Sequence, residues 1–474
     1  MAKMSPQEYV AELVAKARAA QAEFEAKFTT QRAVDEVMRC VGKPIFDHAQ
    51  ELAEDAQKET GMGTVEWKVN KLIGYSLPIW NYYKGHKSMG IIENWRNEPG
   101  VTVYARPIGV IGVVLPSTNP ICTMCNNVMG IIKCRNAAIC CPHPSAKNVS
   151  VKAVNLIRAA FKEIGAPEDL MQVIDPEYAS LETTSALLAA CDVNVATGGP
   201  GMVRSVYSCG KPGFGVGQGN DQEIVCPDWE DYTWLANAAV SNREWDNGVP
   251  CTGEQVMHIP ADKEALYIEC MKKEKAFLVE DPAVIQKLRE VIFPDGKNIN
   301  RQVVGRSPAT VMGMVGVEIP EDSRVLLCKI DAVAEEDVLC KEVLFPFIRY
   351  RLYKSFEEAV DVSYKNYMFE GKGHSSSIWT NIQENIDVAA NKLPVSRLHV
   401  NQSPQGNLHI MPQMNGLTPT CTLGCGFWSG NSTNENLSWY QFMNTTRVTT
   451  LVPAQHELDF EKDWDDYDIC VMTK

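Results

Sequence analysis

A regular alternation of strand-like and helix-like segments between residues 120 and 226 constrains the fold more than any other feature of the sequence. Strand-like runs such as "VNVATG" (193–198) are each followed by a stretch of helical character, such as 200–209. Strands and helices that alternate at this spacing form right-handed βαβ units, which build a parallel sheet covered by helices on both faces. The segment therefore predicts an α/β, doubly wound architecture of the nucleotide-binding kind.

The flanking segments divide the chain into three predicted domains. Residues 1–240 are expected to bind a nucleotide cofactor, and they begin with helices followed by a hairpin or two strands at 100–116. Residues 241–430 show a second α/β alternation and form a second predicted domain, which contains Cys251 and to which the family resemblance described below assigns the catalytic role. Residues 431–474 contain "FMNTTRVTTLV" (442–452), a lone β-strand followed by an acidic, solvated tail. A strand far from its own sheet often completes a neighbour's sheet, so a homo-oligomer, dimer or tetramer, is predicted.

Charge and hydropathy argue against two classes of partner. The formal net charge is −14 without any Lys/Arg block, whereas nucleic-acid binders need a basic face. The longest apolar run, Ile108 to Leu115, is far shorter than the roughly 20 residues that a membrane helix needs. Residues 1–28 are charged throughout and lack the apolar core of a signal peptide. A cytoplasmic protein without nucleic-acid or membrane partners is expected.

The sixteen cysteines of this long chain are interpreted as reduced thiols rather than as a disulfide framework. Cys122 and Cys125 form a C-x-x-C pair, and Cys140-Cys141 follows. No second C-x-x-C or histidine pair stands at zinc-finger spacing, and the first pair lies in an apolar helical pattern. Core cysteines are therefore predicted, with a structural metal as the alternative.

Cys251 differs from these thiols because it lies in a polar loop, "DNGVPCTGEQ" (246–255), between a helical segment and a strand. A thiol acts as a nucleophile where its pKa is lowered or a base is adjacent, and nearby N–H groups can bind the oxyanion that it generates. The loop alone leaves open whether Cys251 is a nucleophile or another buried sulfur.

Two glycine-rich stretches also have two readings each. In "ATGGPGMVRSV" (196–206), Gly199 and Gly201 stand between a strand and a helix, where backbone N–H groups favour phosphate. The same pattern fits a simple βα turn. In "GKPGFGVGQGN" (210–220), the density of glycine indicates either a ligand beside the backbone or close packing of a strand on a helix.

Together, and in this order, such stretches resemble the coenzyme A-acylating branch of the aldehyde dehydrogenase superfamily over nearly the whole chain. The stretches that carry the resemblance are "ETGMG" (59–63), "RPIGVIGVVLPSTNP" (106–120), "CPHPSAK" (141–147), "ATGGPGMV", "GVGQGN", "DNGVPCTGEQ", "KEVLFP" (341–346), "GKGHSSSIWT" (371–380) and "TLGCGFWSGNSTNENL" (422–437).

The resemblance implies a role for each matching residue. Cys251 looks like the nucleophile that attacks the aldehyde, with the Asn119 side chain and the Cys251 amide as oxyanion donors. His374 in "GKGHSSS" matches a histidine typical of this branch, a candidate for thiol activation or contact with coenzyme A, and a polar loop histidine is the alternative. The cofactor-binding positions implied in the same way are Gly199 and Gly201 at the pyrophosphate, Glu342 at the nicotinamide ribose, His143 and Pro144 at the adenosine ribose, and Gly217. NAD and NADP both remain open, and coenzyme A is the implied co-substrate.

The stretch "GVGQGN" (215–220) lacks the glutamate with which hydrolytic relatives activate water in their "ELGG" motif. The resemblance therefore implies a thioester that waits for coenzyme A. A hydrolytic aldehyde dehydrogenase and a catalytically silent assembly subunit are the alternatives. The missing glutamate disfavours the first, and the intact residues Cys251, Asn119 and Glu342 disfavour the second.

The aldehyde itself stays open among acetaldehyde, propionaldehyde, succinate semialdehyde and sulfoacetaldehyde. Arg243, near the nucleophile, and Arg397 in "SRLHVNQSPQG" (396–406) are either ordinary residues or partners of an anionic aldehyde, since a guanidinium fits a carboxylate or sulfonate. The location that the resemblance adds to the cytoplasm is a bacterial microcompartment.

Overall fold

The computed structural model describes residues 4–94, 96–404, 415–453 and 459–465, and its elements are numbered below in chain order. The amino-terminal region is helical, as predicted. Its helices are α1 (Pro6–Lys27), α2 (Gln31–Asp47), α3 (Ala49–Thr60), α4 (Val65–Gly74) and α5 (Leu77–Tyr83). Side-chain caps fix several helix starts: Ser5 forms a capping box with Glu8, and Thr64 accepts a hydrogen bond from the Trp67 amide at the start of α4.

A five-stranded parallel sheet forms the predicted doubly wound unit. Its strands are β3 (Val110–Val114), β4 (Ala137–Cys141), β5 (Met171–Val173), β6 (Val193–Thr197) and β7 (Gly213–Val216). The helices between them are α6 (Pro120–Lys133), α7 (Lys147–Glu163), α8 (Leu181–Ala190) and α9 (Pro200–Ser208). The strand order is β5-β4-β3-β6-β7, so the chain winds outward from β3 and then restarts on its other side. Ligands of such sheets bind outside the carboxyl ends of the strands at this switch point.

A second, seven-stranded parallel sheet has the order β10-β11-β12-β9-β8-β13-β14. Its strands are β8 (Asp221–Val225), β9 (Glu254–Pro260), β10 (Ala276–Leu278), β11 (Val325–Lys329), β12 (Phe347–Tyr353), β13 (Gly373–Trp379) and β14 (Val395–Val400). Its helices are α10 (Tyr232–Glu244), α11 (Glu264–Lys273), α12 (Pro282–Ile292), α13 (Pro308–Met314), α14 (Phe356–Phe369) and α15 (Gln383–Lys392).

The boundary predicted at residue 240 falls inside α10 and does not separate the two sheets. Strand β8 already belongs to the second sheet, where it pairs with β9 and β13. The change of sheet therefore occurs between β7 and β8, across residues 217–220. No helix intervenes there, so the sequence offers no composition break at the point where one sheet ends and the other begins.

A small sheet joins β1 (Gly90–Ile92), β2 (Val101–Arg106) and β15 (Asn444–Thr449). The segment 100–116 is thus two strands in different sheets and not a hairpin. Strand β15 is antiparallel to β2 of the same chain, from Asn444 opposite Arg106 to Thr449 opposite Val101. The strand that the sequence predicts to be lone therefore has a partner within its own chain. That partner, β2, does not pair with β3 and so can pair with β15. On its other side β15 is the outer strand of this small sheet, and a homo-oligomer stays a prediction.

The core of the first sheet and the amino-terminal helices also takes in the returning carboxyl-terminal segment, including Leu437, Trp439 and Phe442. Parts of the predicted acidic tail, at 454–458 and from 466 onward, lie outside the described residues. Within the described ranges, no helix has both the length and the apolar character needed to cross a membrane.

Candidate active site

The predicted site residues lie at the carboxyl ends of strands of the first sheet and at the amino ends of strands of the second. Those that follow strands of the first sheet are Asn119 after β3, His143 and Pro144 after β4, Gly199 and Gly201 after β6, and Gly217 after β7. Those at the amino ends of the second sheet are Cys251 before β9, Glu342 before β12 and His374 in β13. Contacts described below join the two groups.

The loop at 246–253, called the nucleophile loop after the predicted role of Cys251, turns sharply just before that residue. Asp246 and Asn247 have φ values of 48° and 54°, and Gly248 follows with φ 68°. Non-glycine residues rarely adopt this left-handed conformation, so tertiary contacts must hold it in place. The fully buried Asp246 carboxylate supplies them, since it accepts hydrogen bonds from the Lys71 ammonium at 2.5 Å and the Lys68 ammonium at 3.2 Å. Helix α4 therefore anchors the loop that carries the thiol.

Cys251 lies beside a histidine that can take its proton. The distance from Cys251 Sγ to His374 Nε2 is 3.2 Å. Burial raises the pKa of the Cys251 thiol well above its usual range, and the charges of Glu342 and Asp221 act in the same direction. Burial lowers the pKa of His374 to about 3, so the imidazole is neutral at pH 7 and has a free lone pair. In this structure a protonated thiol and a neutral imidazole therefore lie within hydrogen-bonding distance of each other.

The other ring nitrogen of His374 faces a carboxylate. Nδ1 lies 3.5 Å from Oδ1 of Asp221, and both side chains are fully buried. Burial raises the pKa of the Asp221 carboxyl well above its usual range, and the nearby positive charges of Arg397 and Arg243 oppose this rise. Asp221, His374 and Cys251 therefore form a continuous row of ionisable groups across the amino ends of β8, β13 and β9.

The amide of Asn119 is held in one orientation by a lysine. Its Oδ1 accepts a hydrogen bond of 2.7 Å from Lys71 Nζ, the same ammonium group that binds Asp246. Because the oxygen is occupied by a cation, Nδ2 is the end left to donate. That orientation is the one that an oxyanion donor requires.

Glu342 closes the other side of the nucleophile loop. Its Oε1 accepts a hydrogen bond of 3.0 Å from the Gly219 amide. Gly219 also passes so close to the loop that an ideal Cβ there would lie 2.0 Å from the Cys251 carbonyl oxygen. Gln255 in β9 exchanges two hydrogen bonds of 3.0 Å with the Val343 backbone, which fixes the segment that carries Glu342.

The glycines predicted to bind a cofactor have open space beside them. An ideal Cβ built on Gly199, Gly201 or Gly217 meets no heavy atom within 4 Å. Gly199 is the cap residue before α9, so free N–H groups of that helix start at the switch point of the sheet. His143 is half-buried, with Nδ1 2.8 Å from Ser145 Oγ, and Pro144 begins a short 3₁₀ turn. These residues fit a dinucleotide, because the space and the donors suit a pyrophosphate.

The structure buries both arginines for which a contact with an anionic aldehyde was one of two interpretations. Nη2 of Arg243 donates to the carbonyls of Val343 and Phe345 beneath the nucleophile loop. Arg397 is 5% exposed and donates to the His374 carbonyl at 3.0 Å and the Gly424 carbonyl at 2.8 Å. Both guanidinium groups thus support backbone segments around Cys251 and His374. This placement does not support a direct contact with the substrate.

The predicted core cysteines lie in the core. Cys122 and Cys125 are buried in α6, and burial raises the pKa of Cys122 to about 12. Cys140 and Cys141 are buried in β4. Among the residues that the structure describes, no group of three or more histidine, cysteine or acidic side chains could hold a metal ion.

Three residues of the site escaped the sequence analysis: Lys71, Asp221 and Asp246. Lys68 and Lys71 are three residues apart on α4, so they share a helix face, and that spacing is a usable signal. Asp221 directly follows "GVGQGN", but nothing in the sequence tells that β8 brings it behind His374. The buried position of Asp246 becomes evident only from its contacts with α4, where Lys71 lies 175 residues earlier in the sequence.

Comparison with known proteins supplies the family. The family model described as "Aldehyde dehydrogenase family" matches residues 2–284, more than half of the chain. The succinate-semialdehyde dehydrogenase (acetylating) of Clostridium kluyveri is 39% identical over 464 residues, 97% of this chain and 100% of the relative. The chain belongs to the acylating aldehyde dehydrogenase family.

Further members of this family agree in sequence and in structure. The sulfoacetaldehyde dehydrogenase (acylating) of Bilophila wadsworthia is 34% identical over 449 residues, 92% of this chain and 94% of the relative. The crystal structure of an acetylating aldehyde dehydrogenase from Geobacillus thermoglucosidasius superposes with a TM-score of 0.88 at 29% identity and covers 96% of this chain and 98% of that one. The predicted family, the α/β fold and the oxidoreductase class are confirmed.

Proposed function

We propose that this acylating aldehyde dehydrogenase reversibly converts a short aldehyde, coenzyme A and NAD(P)⁺ into an acyl-CoA and NAD(P)H through a thioester on Cys251. The observation that carries the proposal is the 3.2 Å contact between Cys251 Sγ and His374 Nε2. Covalent catalysis by a thiol requires a base within this distance when the thiol's own pKa is high.

His374 takes the Cys251 proton, and the thiolate then forms a C–S bond with the carbonyl carbon of the aldehyde. The Asn119 Nδ2–H group and the Cys251 amide hold the resulting oxyanion, with Lys71 keeping the Asn119 amide in its donating orientation. Bound NAD or NADP supplies the acceptor for the hydride whose loss leaves a thioester on Cys251. Gly199, Gly201, Gly217, His143, Pro144 and Glu342 are the residues that would hold the cofactor.

Coenzyme A completes the cycle at the same imidazole. His374 first releases the Cys251 proton to solvent, and the neutral imidazole then accepts the proton of the incoming thiol, whose sulfur attacks the thioester carbonyl. The bond to Cys251 then breaks, the acyl-CoA leaves, and the proton on His374 returns to the Cys251 sulfur. Because "GVGQGN" has no glutamate at the place of the hydrolytic motif, water competes poorly with coenzyme A.

Single-turnover experiments separate this function from the two alternatives. Without coenzyme A, we expect at most one equivalent of NAD(P)H per active site and no steady turnover. Cys251→Ala should abolish both aldehyde oxidation and acyl-CoA reduction, because both directions pass through the same thioester. Steady NAD(P)H formation without coenzyme A would indicate a hydrolytic enzyme. Absence of any burst with wild-type protein would indicate an assembly subunit.

The aldehyde is proposed to carry an anionic group. This proposal rests on two relatives whose names specify succinate semialdehyde and sulfoacetaldehyde, which both carry an anion. A panel of acetyl-, propionyl-, succinyl- and sulfoacetyl-CoA, assayed by oxidation of NADH and of NADPH, tests it and also ranks the two cofactors. A preference for the uncharged esters would contradict it.

The role of the two arginines is revised accordingly. Arg243 and Arg397 are proposed to support the nucleophile loop and the His374 segment, where their guanidinium groups bind backbone carbonyls. Arg397→Met should then lower kcat/KM for charged and neutral aldehydes by similar factors. A loss confined to charged aldehydes, roughly ten- to a hundredfold for one lost charged hydrogen bond, would restore the direct contact.

A further inference from the structure

The carboxylate of Asp221 is the one ionisable group of the row Asp221, His374 and Cys251 to which neither the family resemblance nor the proposed reaction assigns a task. It lies 3.5 Å from His374 Nδ1, on the side of the ring opposite Cys251, and neither side chain has any exposure. Within the described part of the chain, His374 Nδ1 and both Asp221 oxygens make no hydrogen bond that meets the usual geometry, either with each other or with another group, and their separation of 3.5 Å is an ion-pair distance. The Ser375 backbone N–H also acts on the Asp221 carboxyl and lowers its pKa, which favours the charged form.

We propose that Asp221 is a positioning residue that holds His374 with its proton on Nδ1, so that Nε2 faces Cys251 as a proton acceptor. The inference rests on the proposed roles of Cys251 and His374. It adds an explanation of why Nε2 of His374 is the ring nitrogen that accepts the proton. Asp221 does not touch the substrate, and it acts through the imidazole.

The choice of tautomer decides what the imidazole can do. A neutral imidazole carries one N–H, and the nitrogen that lacks it is the only one that can accept a proton. A carboxylate at Nδ1 accepts that N–H and leaves the lone pair on Nε2, 3.2 Å from the Cys251 sulfur. In triads of this kind, replacing the carboxylate by an amide keeps the geometry but permits the wrong tautomer, with large losses in rate.

Asp221 also biases the proton transfer from Cys251 to His374. The transfer creates an imidazolium between a carboxylate and a thiolate. Because Nδ1 and Nε2 lie on opposite sides of the ring, Asp221 is nearer to the imidazolium than to the thiolate, so its attraction outweighs its repulsion. Removing the carboxylate charge should therefore raise the pH at which Cys251 becomes a thiolate.

Other ionisable groups, on several packed elements, lie near Asp221, His374 and Cys251 and also contribute to the electrostatics of these groups. They are Arg397 from β14, Arg243 from α10, Glu342 before β12, Glu223 from β8, Tyr367 from α14 and Cys425. Each of them stays in place when Asp221 alone is changed. A difference between wild type and an Asp221 variant thus reports the Asp221 carboxylate.

The test is the pH profile of Cys251 alkylation by iodoacetamide, a neutral reagent that reacts with the thiolate. Carboxamidomethylation is followed on the Cys251 peptide by mass spectrometry, because the chain has sixteen cysteines. Wild type is compared with Asp221→Asn, His374→Ala and the double variant. The matched control is Glu223→Gln, which removes a fully buried carboxyl two residues along the same strand.

We expect Asp221→Asn to raise the midpoint of alkylation by roughly 1 to 3 pH units, the usual effect of an opposite charge at this distance. Glu223→Gln should keep the wild-type midpoint. In the His374→Ala background, Asp221→Asn should not raise the midpoint, because without the imidazole the Asp221 charge only opposes formation of the thiolate. An unchanged midpoint in Asp221→Asn, or an upward shift in the double variant relative to His374→Ala, would overturn the proposal.

A second measurement needs no variant of Asp221. In protein labelled with ¹⁵N-histidine, the ring shifts of His374, assigned by comparison with His374→Ala among eight histidines, report which nitrogen is protonated. Protonated Nδ1 at neutral pH is expected, and protonated Nε2 would overturn the inference. Neither experiment requires turnover, so a protein without CoA-dependent activity that still gives the expected midpoints would contradict the proposed function and leave the role of Asp221 standing.

Discussion

Gly217 and Gly219 are two residues apart, yet alanine at the two positions should have different effects. At Gly219 an ideal Cβ would lie 2.0 Å from the Cys251 carbonyl oxygen and 3.4 Å from Glu342 Oε1. The distance between this Cβ and the Cys251 carbonyl oxygen must increase to at least 3.0 Å, which moves the nucleophile loop by about 1 Å. A misplacement of this size costs roughly 10²-fold in rate. We therefore expect Gly219→Ala to lower kcat by about two orders of magnitude.

Gly217→Ala is the matched variant, because an ideal Cβ at Gly217 meets no atom within 4 Å. The folded protein accommodates this methyl group, but the methyl group reduces the open space beside Gly217 that is proposed to hold the cofactor. We expect a raised KM for NAD(P)H with a much smaller change in kcat. Initial rates of NAD(P)H oxidation with a saturating acyl-CoA, together with the burst rate of single turnovers, separate the two effects.

Thermal unfolding provides the control for both variants. Overpacking typically costs 1 to 3 kcal/mol, so a lower Tm is expected for Gly219→Ala and an unchanged Tm for Gly217→Ala. Wild-type kcat in Gly219→Ala would refute the claim that this glycine positions Cys251. Equal losses of kcat in both variants would refute the claim that only Gly217 borders open space.

Three further predictions concern other parts of the molecule. Lys71→Met frees the Asn119 amide to flip, so kcat should fall while KM changes little. The fall in kcat should be smaller than the 10²- to 10³-fold loss expected for Asn119→Ala. A wild-type kcat would show that Lys71 does not orient the amide. Burial lowers the pKa of His258 to about 3, so the unfolded state binds the extra proton between about pH 6.5 and 3, and stability should fall as the pH falls through that window. Urea midpoints should therefore show His258→Gln losing less stability than wild type on acidification, and parallel losses would contradict this. For the predicted homo-oligomer, deleting β15 from Asn444 should lower the molar mass measured by light scattering, whereas truncation after Pro453 should not. A molar mass unchanged by the β15 deletion would argue against a β15 interface.

The sequence predicted the first sheet well because its signal is local. Each βα unit of 120–216 has its own apolar strand and periodic helix, so no distant contact is needed to recognise it. The sequence did not indicate the change of sheet between β7 and β8, because β8 follows β7 after only four residues and the change depends on pairing with β9 and β13. The partner of β15 was missed for the same reason, since β2 and β15 are far apart in sequence.

The residues of the candidate site likewise differ in whether a local sequence motif identifies them. Cys251, Asn119, His374 and Glu342 stand in motifs that the sequence displays, and the structure brings Cys251 next to His374. Asp221 has no such signal, because its meaning depends on the pairing of β8 with β13. The two arginines show the reverse case. Their position near site motifs left a substrate contact and an ordinary role both open, and only the fold reveals that their guanidinium groups bind backbone carbonyls.

The link between α4 and the nucleophile loop has a consequence for synthesis on the ribosome. Lys71 and Asp246 are 175 residues apart, and at about 5 to 20 residues per second the lysine waits roughly 10 to 35 seconds for its carboxylate. During that interval the amino-terminal helices have two lysines that cannot be buried unpaired without a large penalty. The helical region therefore reaches its final packing only after the nucleophile loop has emerged. His374 follows Cys251 by a further 123 residues, so the nascent thiol stays without its base until most of the chain has been made.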